Sequence, residues 1–91
     1  IGVASNKNTA FKFMKKAAEY LDDSEATFLY AQMLYEGYAL PKDIALAIDW
    51  FDRSIQLGNV EASCFLGGLL EKHGKNDEDR RRAAQLSQGC N

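Results

Sequence analysis

Apolar residues return at helical spacing in two neighbouring windows of this chain. In the first, Ala26, Leu29, Tyr30, Met33 and Leu34 follow i, i+3, i+4, i+7 and i+8. In the second, Ala47, Trp50, Phe51, Ser54 and Ile55 keep the same spacing. The pattern predicts helices over about 25–36 and 43–57. Between them "EGYALPKD" supplies a Gly stop, the only Pro and a capping residue. Asp43 is placed to accept from the free N–H groups of the second helix's first turn. Gly58 then stands where a left-handed residue ends that helix.

The same pattern is written more than once. Gly2, Val3, Asn6, Ala10, Phe13, Met14 and Ala17 lie 37 positions before Ala39, Leu40, Asp43, Ala47, Trp50, Phe51 and Ser54. Glu25, Ala26, Ala31 and Leu34 lie 36 positions before Glu61, Ala62, Gly67 and Leu70. Asp43 and Ala47 recur, again 36 later, as Asp79 and Ala83. A period of this length on helical patterning marks stacked helical hairpins. The expected fold is all-α: an α/α superhelical solenoid of antiparallel helix hairpins. The chain divides into a partial repeat (1–23, a loop and helix B), a complete repeat (24–59, helices A and B) and a degenerate capping repeat (60–91).

Asn6 is expected to close the opening loop, with helix B following over about 6–21. Trp50 is expected to be largely buried between its own helix A and the next. Ala31 and Gly67, small and in register, are expected to let a neighbouring helix approach closely. The last helix B is polar: Leu86 and Ser87 replace Trp50 and Phe51, and Arg80–Arg82 follow Asp77–Asp79. It is read as a cap for the end of the stack, with a partly disordered tail as the alternative.

Ninety-one residues suffice for one small domain with a modest core. A net charge of −2 removes the basic footprint that nucleic-acid binding needs. No uncharged run approaches the roughly 20 residues of a membrane-spanning helix. The start "IGVASNKNTA" lacks Met and any leader pattern, so the chain is expected to begin inside a longer one; compartment stays open. Cys64 and Cys90 are too few for a disulfide framework and lack zinc-site spacing. They are read as plain thiols, with a Cys64–Cys90 bridge as the alternative.

The segment "EATFLYAQMLYEGYALPKDIALAIDWFDRSIQLGNVEA" resembles a Sel-one-like repeat, a branch of the tetratricopeptide superfamily. Ala26, Gly37, Pro41, Asp43, Ala47, Trp50, Phe51, Gly58 and Asn59 match its pattern or nearly so. Tyr30, Ala31 and Leu34 stand where Leu, Gly and Tyr are usual, and Ala39 where the second loop Gly is usual. In the opening copy Ala4 stands for the Pro; in the last, His73 stands at the loop Gly with Gly74 beside it. A cysteine-rich, secreted branch has its cysteines at positions that here hold Ile55 and Ser63, so neither that branch nor the hydrolytic activity associated with it is carried over.

The resemblance implies a protein-interaction scaffold that presents a concave helical groove to a peptide or protein. The alternative is a regulatory or substrate-recognition part of a hydrolase-type enzyme whose chemistry lies elsewhere. No catalytic, cofactor or metal site is expected: His73 has no nucleophile at motif spacing and is read as a solvated loop residue, and Gly67–Gly68 follows no strand. In tetratricopeptide-type stacks helix A lines the inner face. Its residues outside the apolar stripe give the groove candidates Phe28, Gln32, Tyr35, Cys64, Gly68, Glu71 and Lys72. The alternative for Phe28 and Tyr35 is packing against the neighbouring unit. Phe11, Phe13, Met14 and Tyr20 lack the helix A of their own unit. The N-terminal edge is therefore a place for self-association or for upstream residues.

Overall fold

The computed structural model describes the backbone of residues 3–88 and 90, and the side chains of residues 7–88 and 90. Five helices follow in order: α1 (Val3–Tyr20), α2 (Ser24–Glu36), α3 (Ile44–Gln56), α4 (Val60–His73) and α5 (Asp77–Leu86). No strand occurs among the described residues. Packing runs between sequence neighbours, α1 on α2, α2 on α3, α3 on α4 and α4 on α5, as a solenoid requires. The result is elongated, 46 × 24 × 22 Å.

Two contacts fix the antiparallel sense of α2 and α3. At one end the Asp43 N–H donates to the Leu34 carbonyl at 3.0 Å, and at the other the Ser54 hydroxyl donates to the Ser24 carbonyl at 2.6 Å. The turn between them follows from its residues. Gly37 takes φ +77° and closes α2 by donating to the Met33 carbonyl. The Asp43 carboxylate accepts from the Leu46 N–H at 3.0 Å, as expected of a cap. Gly58 takes φ +99°, the left-handed conformation its place called for.

Helix A buries a different face from the one its periodicity suggests. Ala26, Thr27, Tyr30, Ala31 and Leu34 are buried on α2, whereas Leu29 is 36% exposed and Met33 half-buried. A helix packed on both α1 and α3 turns the bisector between them inward. That shifts the buried set on α2 to i, i+1, i+4, i+5 and i+8. On α4, Ala62, Leu66, Gly67 and Leu70 are buried at the same places, whereas Ser63 at i+1 is half-buried and Leu69 at i+7 is buried. Thr27 is admitted because its hydroxyl donates to the carbonyls of Asp23 and Ser24, at 3.0 and 2.9 Å.

Gly67 acts as its register implied. A Cβ there would lie 2.5 Å from Ser87 Oγ and 3.2 Å from the Ala83 carbonyl oxygen, so α5 seats directly on its backbone. Trp50 does not fill the wedge expected of it. It is half-buried, edge-on to Tyr30 at 5.1 Å, beside Ala18 and Arg53. The neighbouring Phe51 is fully buried, against Phe28 at 5.8 Å and Phe65 at 4.8 Å. The i+1 position points between α2 and α4, and the indole at i points back toward α1.

The ends depart further from expectation. α1 begins at Val3, so Asn6 lies inside a helix and does not close a loop before it. Ala4 occupies the site of the loop Pro, and nothing in "VASN" stops a helix from starting early. At the other end residues Asp77–Leu86 are helical. Asn76 accepts from the Asp79 N–H at 2.9 Å and caps α5, and the Asp79 carboxylate accepts from the Lys75 N–H, one residue before the cap, at 3.0 Å. Residues 89 and 91 lie outside the described set.

The cysteines are not plain thiols. Cys64 and Cys90 form a disulfide with Cα atoms 5.8 Å apart, which ties the residues after α5 to the first half of α4. Twenty-six residues separate them, and only the packing of α4 against α5 makes them neighbours.

Candidate protein-binding cleft

A cleft of about 810 Å³ opens between the first halves of α2 and α4. Phe28, Leu29 and Phe65 form its apolar part, and Glu25, Gln32 and Glu61 its polar part. Ser24 and Asn59, which lead into the two helices, close one end. No α3 or α5 residue contributes, so helices of the A type alone line it. Its shape depends on how each A helix is started. Asp23 accepts from the N–H groups of Glu25 and Ala26, and Asn59 from that of Ala62, at 2.8, 3.1 and 3.1 Å. The amide of Asn59 also donates to the Ser24 carbonyl at 3.2 Å, so one side chain caps α4 and sets its start against that of α2.

Three of the seven groove candidates, Phe28, Gln32 and Cys64, line this cleft. Tyr35 lies farther along α2, its ring edge-on to Phe65 at 5.8 Å. Gly68 is exposed, and a Cβ on it would meet nothing within 4 Å. Glu71 and Lys72 are exposed near the end of α4 and do not line the cleft. Phe28 and Tyr35 are only half-buried, but both rings pack onto the next unit through Phe65. Cys64 reaches the cleft as half of a disulfide rather than as a thiol.

His73 is not a solvated loop residue. It is the last residue of α4, half-buried, with Nε2 3.3 Å from the Tyr35 hydroxyl and its ring edge-on to that of Tyr35. Gly74 rather than His73 ends the helix; a Cβ on it would run into the Leu70 carbonyl oxygen. Leu29, Glu25 and Glu61 were not singled out from the sequence. The signal for the two glutamates was present, because they recur 36 positions apart at the same place in helix A. Leu29 matched the apolar stripe and was indistinguishable from core.

The cleft is acidic at its rim, and no Lys, Arg or His lines it. Among the described residues no group of three or more His, Cys, Asp or Glu side chains is placed to hold a metal ion. None of the described helices is long and apolar enough to cross a membrane.

Helical hairpins stacked end to end, with a cleft made by the A helices alone, define an α/α repeat protein of the interaction type. The Sel1 repeat family model matches residues 1–19 and 24–59, and the chain belongs to that family. Sel1 repeats are helical modules of protein–protein interaction. No curated protein and no solved structure matches the chain. The family match ends at Asn59, where the third unit begins to lose the pattern.

Proposed function

We propose that this chain is a scaffold module that receives a peptide segment of a partner protein in the cleft between α2 and α4. The segment carries an apolar side chain flanked by Lys or Arg. The single observation behind this reading is the composition of the cleft: an apolar floor of Phe28, Leu29 and Phe65 beneath Glu25 and Glu61, with no basic residue lining it. An apolar side chain inserted there removes exposed hydrocarbon from water. A cation at the rim is attracted by two carboxylates, which favours encounter and selects against acidic peptides.

Selection of a displayed random-peptide library on the immobilised chain tests this. The expected winners combine Leu, Ile, Phe or Trp with an adjacent Lys or Arg. Glu25→Lys with Glu61→Lys, and separately Leu29→Asp, should weaken them at least tenfold while the chain stays folded by circular dichroism; the lysine pair should melt somewhat lower, because both glutamates lie in the first turn of a helix. Acidic winners, or winners indifferent to these substitutions, would overturn the proposal.

A further inference from the structure

The two hairpins fasten helix B to helix A by different chemistry. Between α2 and α3 the Phe51 ring packs on that of Phe28 at 5.8 Å, and the Ser54 hydroxyl donates to the Ser24 carbonyl. At the positions 36 later, Phe28, Phe51 and Ser54 become Cys64, Ser87 and Cys90. The aromatic pair is gone from the α4–α5 hairpin. In its place the Cys64–Cys90 bridge joins the equivalents of Phe28 and Ser54, so a covalent bond takes over from ring packing at the same register. The other ties of α5 are slight. Ala83, Leu86 and Ser87 close on the backbone of Gly67, small groups that bury little hydrocarbon. Arg82 pairs with Asp52 of α3 in a partly exposed ion pair, a kind of contact that contributes little.

The same bridge borders the cleft. Cys64 lines it beside Glu61 and Phe65, and Cys90 lines a second opening of about 350 Å³ between α3, α4 and α5. Both cysteines are half-buried, so a small thiol can reach the bridge. One wall of the cleft belongs to α4, and α4 has more of its packing against α5 than against α3. Loosening α5 therefore removes the larger support of that wall. Taking the cleft as the peptide site, we propose that the Cys64–Cys90 bridge is its redox switch: oxidised, it holds α5 against α4 and keeps the cleft in shape; opened by a dithiol reductant, it lets α5 loosen and the cleft release its peptide. The first thiolate of the dithiol attacks Sγ of Cys64 and expels the Cys90 thiolate. Its second thiolate then displaces Cys64. The bridge gains two electrons and two protons, and the reductant leaves as a disulfide. The α2–α3 hairpin, fastened by rings and a hydroxyl, is indifferent to the reductant.

Amide hydrogen exchange read by mass spectrometry compares the oxidised chain with the same chain in millimolar dithiothreitol. Exchange should quicken at least tenfold in α5 and in residues 61–65, the α4 wall of the cleft. The α2–α3 hairpin should keep its protection, and circular dichroism should show the chain still folded. No ligand is needed, so the exchange decides the switch even when the library returns no cleft peptide and the scaffold reading fails. Peptides from the library should bind the reduced chain at least fivefold more weakly, and reoxidation should restore them. Cys64→Ser with Cys90→Ser should match the reduced parent and ignore dithiothreitol. Unchanged exchange on reduction, or equal peptide affinity in the two forms, would overturn the proposal. So would a bridge that dithiothreitol leaves intact in the folded chain. Loss of the whole helix signal on reduction would overturn it too, since the bridge is then a staple of the entire fold and not a switch.

Discussion

The Ser24 carbonyl accepts from three side chains, the Thr27 hydroxyl of its own helix at 2.9 Å, the Ser54 hydroxyl at 2.6 Å and the Asn59 amide at 3.2 Å. One oxygen at the start of α2 thus receives the last turn of α3 and the residue that starts α4. Removing the Ser54 or the Asn59 donor, or both, still leaves the Thr27 hydroxyl on the carbonyl. Ser54→Ala should therefore cost only about 1 kcal/mol. Asn59→Ala should cost about 1–2 kcal/mol, because it also removes the cap of α4. The double variant should cost about the sum of the two, because the Thr27 hydroxyl keeps the carbonyl satisfied. Urea unfolding of the four proteins checks this, and a double variant that exceeds the sum by more than about 0.5 kcal/mol would mean that the carbonyl depends on these two donors.

Two adjacent aromatics should differ sharply. Phe51 is fully buried, so Phe51→Ala should cost about 3–5 kcal/mol and leave little folded protein in so small a stack. Trp50 is half-buried, and Trp50→Ala should cost about 1–2 kcal/mol, mainly its edge-on contact with Tyr30. Thermal melts followed by far-ultraviolet circular dichroism give the order directly. A Trp50 variant less stable than the Phe51 variant would reverse the assignment.

Closing 26 residues with the Cys64–Cys90 bridge restricts the unfolded chain by about 3.5 kcal/mol in the loop-entropy picture. Reductant should lower the melting temperature of the parent. A Cys64→Ser, Cys90→Ser protein should melt at the reduced parent's temperature and ignore reductant. Equal melting of oxidised and reduced parent would deny the bridge a stabilising role.

Ala39 holds φ +69° where the family's loop has a second glycine. The left-handed conformation costs a non-glycine residue about 1–2 kcal/mol. Ala39→Gly recovers that and gives back about 0.4–1 kcal/mol through the freer unfolded chain. Net stabilisation of about 0.5–1 kcal/mol should appear as a higher urea midpoint at constant slope; a lower midpoint would show the loop is unstrained.

Burial, with help from the charges of Glu19 and Asp43, pushes the Tyr30 phenol above its ordinary 10.0. Above pH 10.0 the unfolded chain releases this proton while the folded chain keeps it. The contribution of Tyr30 is therefore whole below pH 10.0 and is lost as pH rises through the raised folded value. Unfolding free energies at pH 9 and above 10.0 should fall more steeply for the parent than for Tyr30→Phe. Parallel declines would mean that the phenol titrates alike in both states.

The hairpin order, the A and B roles, the Asp43 cap, the left-handed Gly58 and the close approach at Gly67 were all legible in the sequence. Each depends on a few residues and recurs in register, so local chemistry and the repeat specify it together. Three features were decided only by tertiary structure. A helix between two neighbours buries the bisector of two contacts, which moved Thr27 into the core and Leu29 to the cleft. Phe51 rather than Trp50 fills the wedge because adjacent positions point about 100° apart on a helix, and only the third helix shows which direction is enclosed. Cys64 meets Cys90 because α4 and α5 fold back on each other, a proximity that no spacing along the chain encodes. The acidic rim has the same origin: Glu25 and Glu61 are equivalent in sequence, but only stacking α2 beside α4 places both carboxylates over one apolar floor.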